Sequence, residues 1–171
     1  YLYIIWATAL VTILGVTGFF VLNKKTQLFL PEKIHAHAGF VIFENNKKLD
    51  FSDNKFMKIE PCTNEKEHGG NHSEKEIQVE KAHLHDNAGD VVHMEREGAT
   101  WKDMFTNSKI ELDFTKTTGY INGHKVDAYL NKKINSYDSL VVFMGENDPK
   151  LLKQAVSKER IMEAEKESEG C

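Results

Sequence analysis

The sequence opens with an uncharged run, YLYIIWATALVTILGVTGFFVL, that extends from Tyr1 to Leu22. As an α-helix rising about 1.5 Å per residue, this run would span roughly 33 Å, which is about the thickness of the hydrocarbon core of a bilayer. Tyr1, Tyr3 and Trp6 lie at one end, and aromatic side chains favour the membrane interface. We therefore predict a single transmembrane anchor over residues 1–25.

A cleaved secretory signal peptide is the rival interpretation of this run. Signal peptides have shorter apolar cores and a small-residue cleavage site, and we find no convincing site before Gln27. Lys24 and Lys25 would favour a cytoplasmic location for the following residues only if no positive charge preceded Tyr1. Because small proteins with one N-terminal anchor often carry their domain outside, we predict a single-pass protein of the cell membrane with an extracytoplasmic domain.

The charge balance and the cysteine count exclude some classes of function. The chain carries a formal net charge of −4, which argues against a nucleic-acid partner because phosphate binding needs a basic face. Cys62 and Cys171 are the two cysteines, too few for a disulfide scaffold, and whether they pair stays open. We find no Ser-His-Asp order, phosphate loop or H-E-x-x-H helix, so an enzyme is not the favoured interpretation. A hydrolase, with an open metal position beside a base, stays as a third alternative without an indicated substrate.

The rest of the chain divides by composition. Residues 26–34 form a predicted linker, in which Pro31 would stop a continuing helix. Residues 35–147 form the predicted soluble domain, with a polar, mobile loop at 60–77. Residues 148–171 are expected to form a C-terminal helix followed by a charged tail.

Within the soluble domain, alternating apolar residues and turn residues predict three hairpins. They are HAHAGFVIFENNKKLDFS, IQVEKAHLHDNAGDVVHMERE and YINGHKV, the last with the strong turn signal Asn122-Gly123. A short helix is expected to begin after Thr100, which can form a capping box with Asp103. DSLVVFMG reads as a strand that is buried on both faces.

The order of hairpin, helix, INGHKV and DSLVVF resembles the β-grasp fold of ubiquitin-like and sulfur-carrier proteins. In that family a short ING hairpin and a D-x-V-x-F/I final strand close a sheet over one helix. The resemblance covers 100–144, with 35–52 as a candidate first hairpin. It implies an α+β fold, a β-grasp-like mixed sheet with one packed helix, preceded by the N-terminal transmembrane helix. Because the last strand is followed by a charged helix and not by the flexible Gly-Gly of carriers, we do not expect carrier chemistry.

The second hairpin carries three histidines whose faces depend on the turn. Strand residues alternate faces, so His83 and His85 point the same way. If DNAGD forms a three-residue loop with Gly89 left-handed, His83 faces His93 directly. Opposed Cβ atoms then lie about 5 Å apart and diagonal ones roughly 7 Å, so three imidazoles could meet at one metal ion. A loop one residue longer would turn His93 to the other face.

A second H-x-H pair, His35 and His37, could supply two more imidazoles from a neighbouring strand. Such a ligand set suits copper(II) or zinc better than calcium or magnesium, which prefer oxygen. Asp86, Asp90 and Glu95 could accept hydrogen bonds that orient the rings.

The region after the anchor also resembles uncharacterised, single-pass membrane-anchored prokaryotic proteins with H-x-H before the first strand and HLHD…VxH in the middle. That resemblance brings no activity, but it implies that the two histidine motifs belong together. We therefore predict a copper or zinc site, and list its ligands as His83, His85, His93, His35 and His37. The alternative is a metal-free, membrane-anchored module that binds another membrane or surface protein through a sheet edge or the hairpin face.

Overall fold

The strand β1 (Lys33–Glu44) runs through the middle of a six-stranded mixed sheet. The computed structural model describes residues 31–58 and 73–168. Within them the other strands are β2 (Lys47–Lys48), β3 (Val91–Arg96), β4 (Thr117–Ile121), β5 (His124–Val126) and β6 (Ser139–Met144). The helices are α1 (Glu74–Lys81), α2 (Trp101–Asn107) and α3 (Lys158–Ser168), and short 3-10 helices lie at Asn54–Phe56, Phe114–Lys116, Tyr129–Asn131 and Pro149–Gln154. The fold is therefore α+β, as predicted.

Strand pairing joins segments that are far apart in sequence. On one side β1 pairs with β6 in parallel, and β6 pairs with β4, which pairs with β5. On the other side the N-terminal half of β1 pairs with β3, and its C-terminal end pairs with β2, both antiparallel. Strand β1 is thus paired on both edges and buried on both faces, which explains its nearly continuous apolar sequence from Ala36 to Phe43.

Two tight turns follow the sequence signals. Asn45 and Asn46 both have positive φ, 48° and 70°, and connect β1 to β2. Asn122 and Gly123, at 52° and 81°, connect β4 to β5. Positive φ at both central residues defines the type I′ hairpin turn, so both predicted turns are confirmed.

The larger core lies between one face of the sheet and α2. The predicted capping box is present: the side chain of Thr100 accepts a hydrogen bond from the backbone N–H of Asp103, and the side chain of Asp103 accepts one from the backbone N–H of Thr100. Trp101, Met104 and Phe105 lie on one face of this helix and are buried against the sheet. Leu84, just before the histidine-bearing turn, is also part of this core and fixes that segment against the sheet.

The opposite face of the sheet is partly covered by α3. Ile161 and Ala164 of this helix pack with Val91 of β3 and with Val156. The packing is close, because a Cβ atom at Gly39 would lie 2.5 Å from the Cβ of Val156. The predicted charged tail is helical as far as Ser168. Its apolar residues Ile161 and Ala164 are three positions apart, so they share one face of the helix and cover the sheet.

Some predicted boundaries differ from those observed. IQVEK lies in α1, not in a strand, because Ser73 and Glu76 form a capping box and the sequence is rich in helix formers. The predicted mobile loop at 60–77 therefore overlaps the first turn of α1, and its earlier part lies outside the described residues. The predicted linker at 26–34 overlaps the start of β1.

The predicted anchor at 1–25 lies outside the described residues, as do Cys62 and Cys171. Over 31–58 and 73–168, no helix is both long and apolar enough to cross a membrane.

Candidate metal centre

Three histidines form a row across neighbouring segments of the sheet. His83 pairs with His93 through two backbone hydrogen bonds of 3.0 and 2.9 Å. His93 in turn pairs with His37 of β1. Residues that are directly opposite across strands point their side chains to the same face, so all three imidazoles lie on the face that α3 partly covers. The prediction that His83 faces His93 is confirmed.

The turn that sets this register differs from the predicted one. Asp86 and Asn87 have positive φ, 53° and 57°, whereas Gly89 does not. Glycine is needed at position 89 because a Cβ there would lie 2.4 Å from backbone atoms of Phe51 and Ser52. The register is therefore fixed by two left-handed polar residues and by a close backbone contact.

His35 and His85 complete the group, which we name the histidine cluster. It consists of His35, His37, His83, His85 and His93. The ring centroid of His93 lies 4.6 to 5.1 Å from those of the other four members. The structure thus brings together all five predicted residues, with His93 at the centre, while His124 is exposed on β5.

Two groups of side chains within this region have ligand atoms that lie close enough to hold a metal ion. One consists of His35, His37 and His93, and the other of His83, His93 and Glu95, with ligand atoms within 4.8 Å of one another in each. Nitrogens on one tetrahedral zinc ion are about 3.3 Å apart, given Zn–N bonds of 2.0–2.1 Å. Side-chain movements of roughly 1 Å would therefore close either group around an ion.

The two groups revise the expected roles of two residues. His85, predicted as a ligand, belongs to neither group; its Nε2 lies 2.7 Å from Nδ1 of His93. Glu95, predicted only to orient a ring, belongs to the second group. Glu95 lies two residues after His93 on β3. Because residues i and i+2 of a strand share a face, the sequence could have indicated that Glu95 lies on the same face as His93.

Burial keeps the central imidazoles neutral. His37 and His83 are 2% and 3% exposed. Burial is the main cause that lowers the pKa of His37 to about 4, that of His83 to about 3 and that of His93 to about 2, because a second positive charge in this crowded, desolvated cluster is unfavourable. Neutral imidazole is the form that binds metals, so these side chains need release no proton to act as ligands at pH 7.

Hydrogen bonds define which ring nitrogens are available. His83 donates from Nδ1 to the carbonyl oxygen of Val79 at 3.0 Å, so its Nε2 carries the lone pair in the neutral ring. Nε2 of His93 is buried and has no hydrogen-bond partner among the described residues. An unsatisfied buried polar atom is unfavourable, and a metal ion at this position would satisfy it.

Helix α3 contributes a carboxylate that the sequence analysis missed. Oε1 of Glu165 lies 3.7 Å from Nδ1 of His37, and the hydroxyl of Tyr137 donates to Oε2 of Glu165 at 3.1 Å. The backbone N–H of Tyr137 also donates to the carbonyl of His37 at 2.7 Å. Glu165 directly follows the apolar Ala164 in the sequence. Because most residues around them are charged, no clear sign in the sequence indicated that this glutamate would lie near the cluster.

Comparison with known proteins gives no further assignment, because no protein-family model, curated protein or solved structure matches this chain significantly.

Proposed function

We propose that this chain is a membrane-anchored, extracytoplasmic protein that binds one divalent transition-metal ion, copper or zinc, through its histidine cluster. The observation that carries the proposal is the buried Nε2 of His93, which has no hydrogen-bond partner in the part of the chain that the structure describes and whose ring lies among four other imidazoles. Imidazole-rich sites suit copper(II) and zinc. The membrane location rests on the apolar run from Tyr1 to Leu22.

His35, His37 and His93 are the favoured ligands. The other group includes Glu95, whose Oε1 lies 3.5 Å from the ammonium nitrogen of Lys58. An ion bound by that group would be repelled by Lys58 and would compete with it for the carboxylate. His35 is exposed and so gives an ion access from solvent.

One ion per chain is expected, because both groups contain His93. Its Nδ1 is already within hydrogen-bond distance of His85, so only Nε2 remains for coordination. The two groups are then alternative positions for a single ion.

Metal titration of the purified full chain in mild detergent, stripped beforehand with a chelator, tests the proposal. Zinc or copper(II) should bind with a stoichiometry of one and raise the free energy of unfolding by about 2.7 kcal/mol at one hundred times the dissociation constant. His93→Ala should abolish the stabilisation, while the matched control His124→Ala should retain it. The metal hypothesis is wrong if the wild-type chain neither binds nor is stabilised by either metal.

We also infer that the sheet belongs to the β-grasp-like class. Its support is the central parallel pair β1 and β6, together with α2, which lies between β3 and β4 in sequence and packs on one face. An experimental structure with another strand order would contradict this inference.

A metal-free interaction module is the second candidate. It is supported by an open, partly apolar cavity of about 680 Å³ beside α2, lined by Phe105, Ile110, Leu112, Phe114 and Leu130 among others. A partly apolar groove of this kind can take an amphipathic segment of another protein. Co-purification of another membrane or surface protein, lost on Leu112→Asp but kept on His93→Ala, would favour this function. Protease accessibility on intact cells tests the proposed extracytoplasmic location in either case.

A further inference from the structure

An exposed carboxylate is connected to the central ligand of the histidine cluster through one intervening ring. Oδ2 of Asp86 lies 2.5 Å from Nδ1 of His85. Nε2 of His85 lies 2.7 Å from Nδ1 of His93. The three side chains therefore form a continuous hydrogen-bonded series that ends at the buried Nε2 of His93.

The chemistry of the three groups determines the direction of these hydrogen bonds. An ionised carboxylate can only accept, so Nδ1 of His85 carries the proton that it donates to Asp86. A neutral imidazole has one N–H, so Nε2 of His85 must accept from Nδ1 of His93. Nε2 of His93 then carries a lone pair, which is what a metal ligand needs.

The opposite assignment is less favourable. If His85 were the donor to His93, its ring would be doubly protonated, and Nε2 of His93 would carry an N–H. That N–H would be buried without an acceptor among the described residues, which leaves a donor unsatisfied.

The turn that carries Asp86 is held in place by the neighbouring residue. The side-chain amide of Asn87 donates to the carbonyl of Ser52 at 3.0 Å and to Oδ1 of Asn54 at 2.8 Å. Asp86 itself is left-handed, a conformation that Asp and Asn adopt more readily than other non-glycine residues. The backbone that carries the Asp86 carboxylate is therefore held beside His85 by the fold.

We propose that Asp86 and His85 are positioning residues, which hold His93 in the tautomer whose Nε2 lone pair faces the metal ion. The proposal rests on the metal-binding function proposed above. Outer hydrogen bonds of this kind orient a ligand ring and raise its basicity, and their loss typically weakens metal binding 10- to 100-fold. The bond from His83 to the carbonyl of Val79 has the same effect on a second member of the cluster.

The test compares zinc affinities of full-chain variants, measured by competition with a chromophoric chelator. Asp86→Asn keeps the left-handed turn but weakens the acceptor, and about tenfold weaker binding is expected. His85→Phe removes the series, and a loss of 10- to 100-fold is expected. His85→Gln retains an acceptor at the same reach and should recover most of the loss, while the exposed control Asp127→Asn should bind like the wild type.

A second measurement reports the tautomer directly in the metal-free chain. Long-range ¹H–¹⁵N NMR spectra should show Nε2 of His93 unprotonated in the wild type and in Asp127→Asn, and a mixture of tautomers in His85→Phe. A merely structural role of Asp86 or His85 would leave this tautomer unchanged.

The two measurements separate two kinds of failure. If the wild type binds zinc but Asp86→Asn and His85→Phe bind as tightly as Asp127→Asn, the positioning role is wrong and the metal function stands. A proton on Nε2 of His93 in the metal-free wild type also overturns the positioning role. If the wild type binds no metal, the metal function fails and the proposal fails with it, whatever the tautomer.

Discussion

Acidification should destabilise the metal-free protein strongly, because three buried histidines resist protonation. The pKa values of His37, His83 and His93 are lowered from 6.5 to about 4, 3 and 2. As pH falls below 6.5, these side chains take up protons in the unfolded chain but stay neutral in the folded one. The unfolded state then binds more protons, so the free energy of unfolding is highest above pH 6.5 and falls as pH approaches 4.

The size of the effect follows from the same linkage. Between pH 7 and pH 5, each histidine that titrates only in the unfolded state lowers the free energy of unfolding by about 2 kcal/mol. Three such groups give about 6 kcal/mol. Domains of this size are stable by about 5–15 kcal/mol, so the folded state should be close to its limit at pH 5.

Guanidinium unfolding at pH 7, 6 and 5, with a chelator present, measures this loss. Fluorescence of the buried Trp101 reports unfolding, in a Trp6→Phe background that leaves it as the only tryptophan. His83→Gln should reduce the loss by about 2 kcal/mol, and the exposed His124→Gln should leave it unchanged. A loss below about 2 kcal/mol between pH 7 and pH 5 in the parent would refute the reasoning.

Three further predictions concern packing, capping and a buried ion pair, each measured as a change in the denaturation midpoint. Gly119→Ala would place a Cβ 2.3 Å from the ring of Tyr129, and overpacking should destabilise the protein by about 1–3 kcal/mol. Thr100→Ala removes the capping box of α2 and should cost about 1 kcal/mol, whereas Thr100→Ser should be nearly neutral. Arg96→Met leaves the half-buried Glu80, now 2.6 Å from Nη2 of Arg96, without that partner, and a loss of about 3–5 kcal/mol is expected. A midpoint equal to that of the wild type for Gly119→Ala, Thr100→Ala or Arg96→Met would contradict the prediction for that variant.

Short-range signals in the sequence predicted local structure well. Asn45-Asn46, Asn122-Gly123 and the pair Thr100 and Asp103 specify turns and a helix start through contacts within four residues. Such contacts depend little on the rest of the fold, so a sequence pattern is sufficient to identify them.

The segment IQVEK was predicted as a strand but belongs to α1, and the difference has a physical reason. Ile77 and Val79 alternate as in a strand, but Ser73 and Glu76 complete a capping box that starts α1. The box was hidden because Ser73 and Glu76 read as part of a polar loop. The α1 helix still delivers His83 to the predicted position, since the register is set after the helix ends.

The candidate site was predictable only in part, because a sequence pattern identifies local contacts but not long-range packing. His83 and His93 are ten residues apart and joined by one turn, so a local argument placed them together. The approach of Glu165 depends on the packing of α3 through Ile161 and Ala164. Long-range packing of this kind cannot be derived from a charged sequence whose apolar positions are few.

The pairing of β1 with β3 has a consequence for how the chain could be stabilised. His37 and His93 stand opposite each other, yet 56 positions of sequence separate them. An ion held by both would link these two distant segments in the folded chain, and unfolding would release it, so its contribution to stability is its binding free energy. Unlike a disulfide, this cross-link would need no oxidising compartment, and a chelator could remove it without breaking a covalent bond.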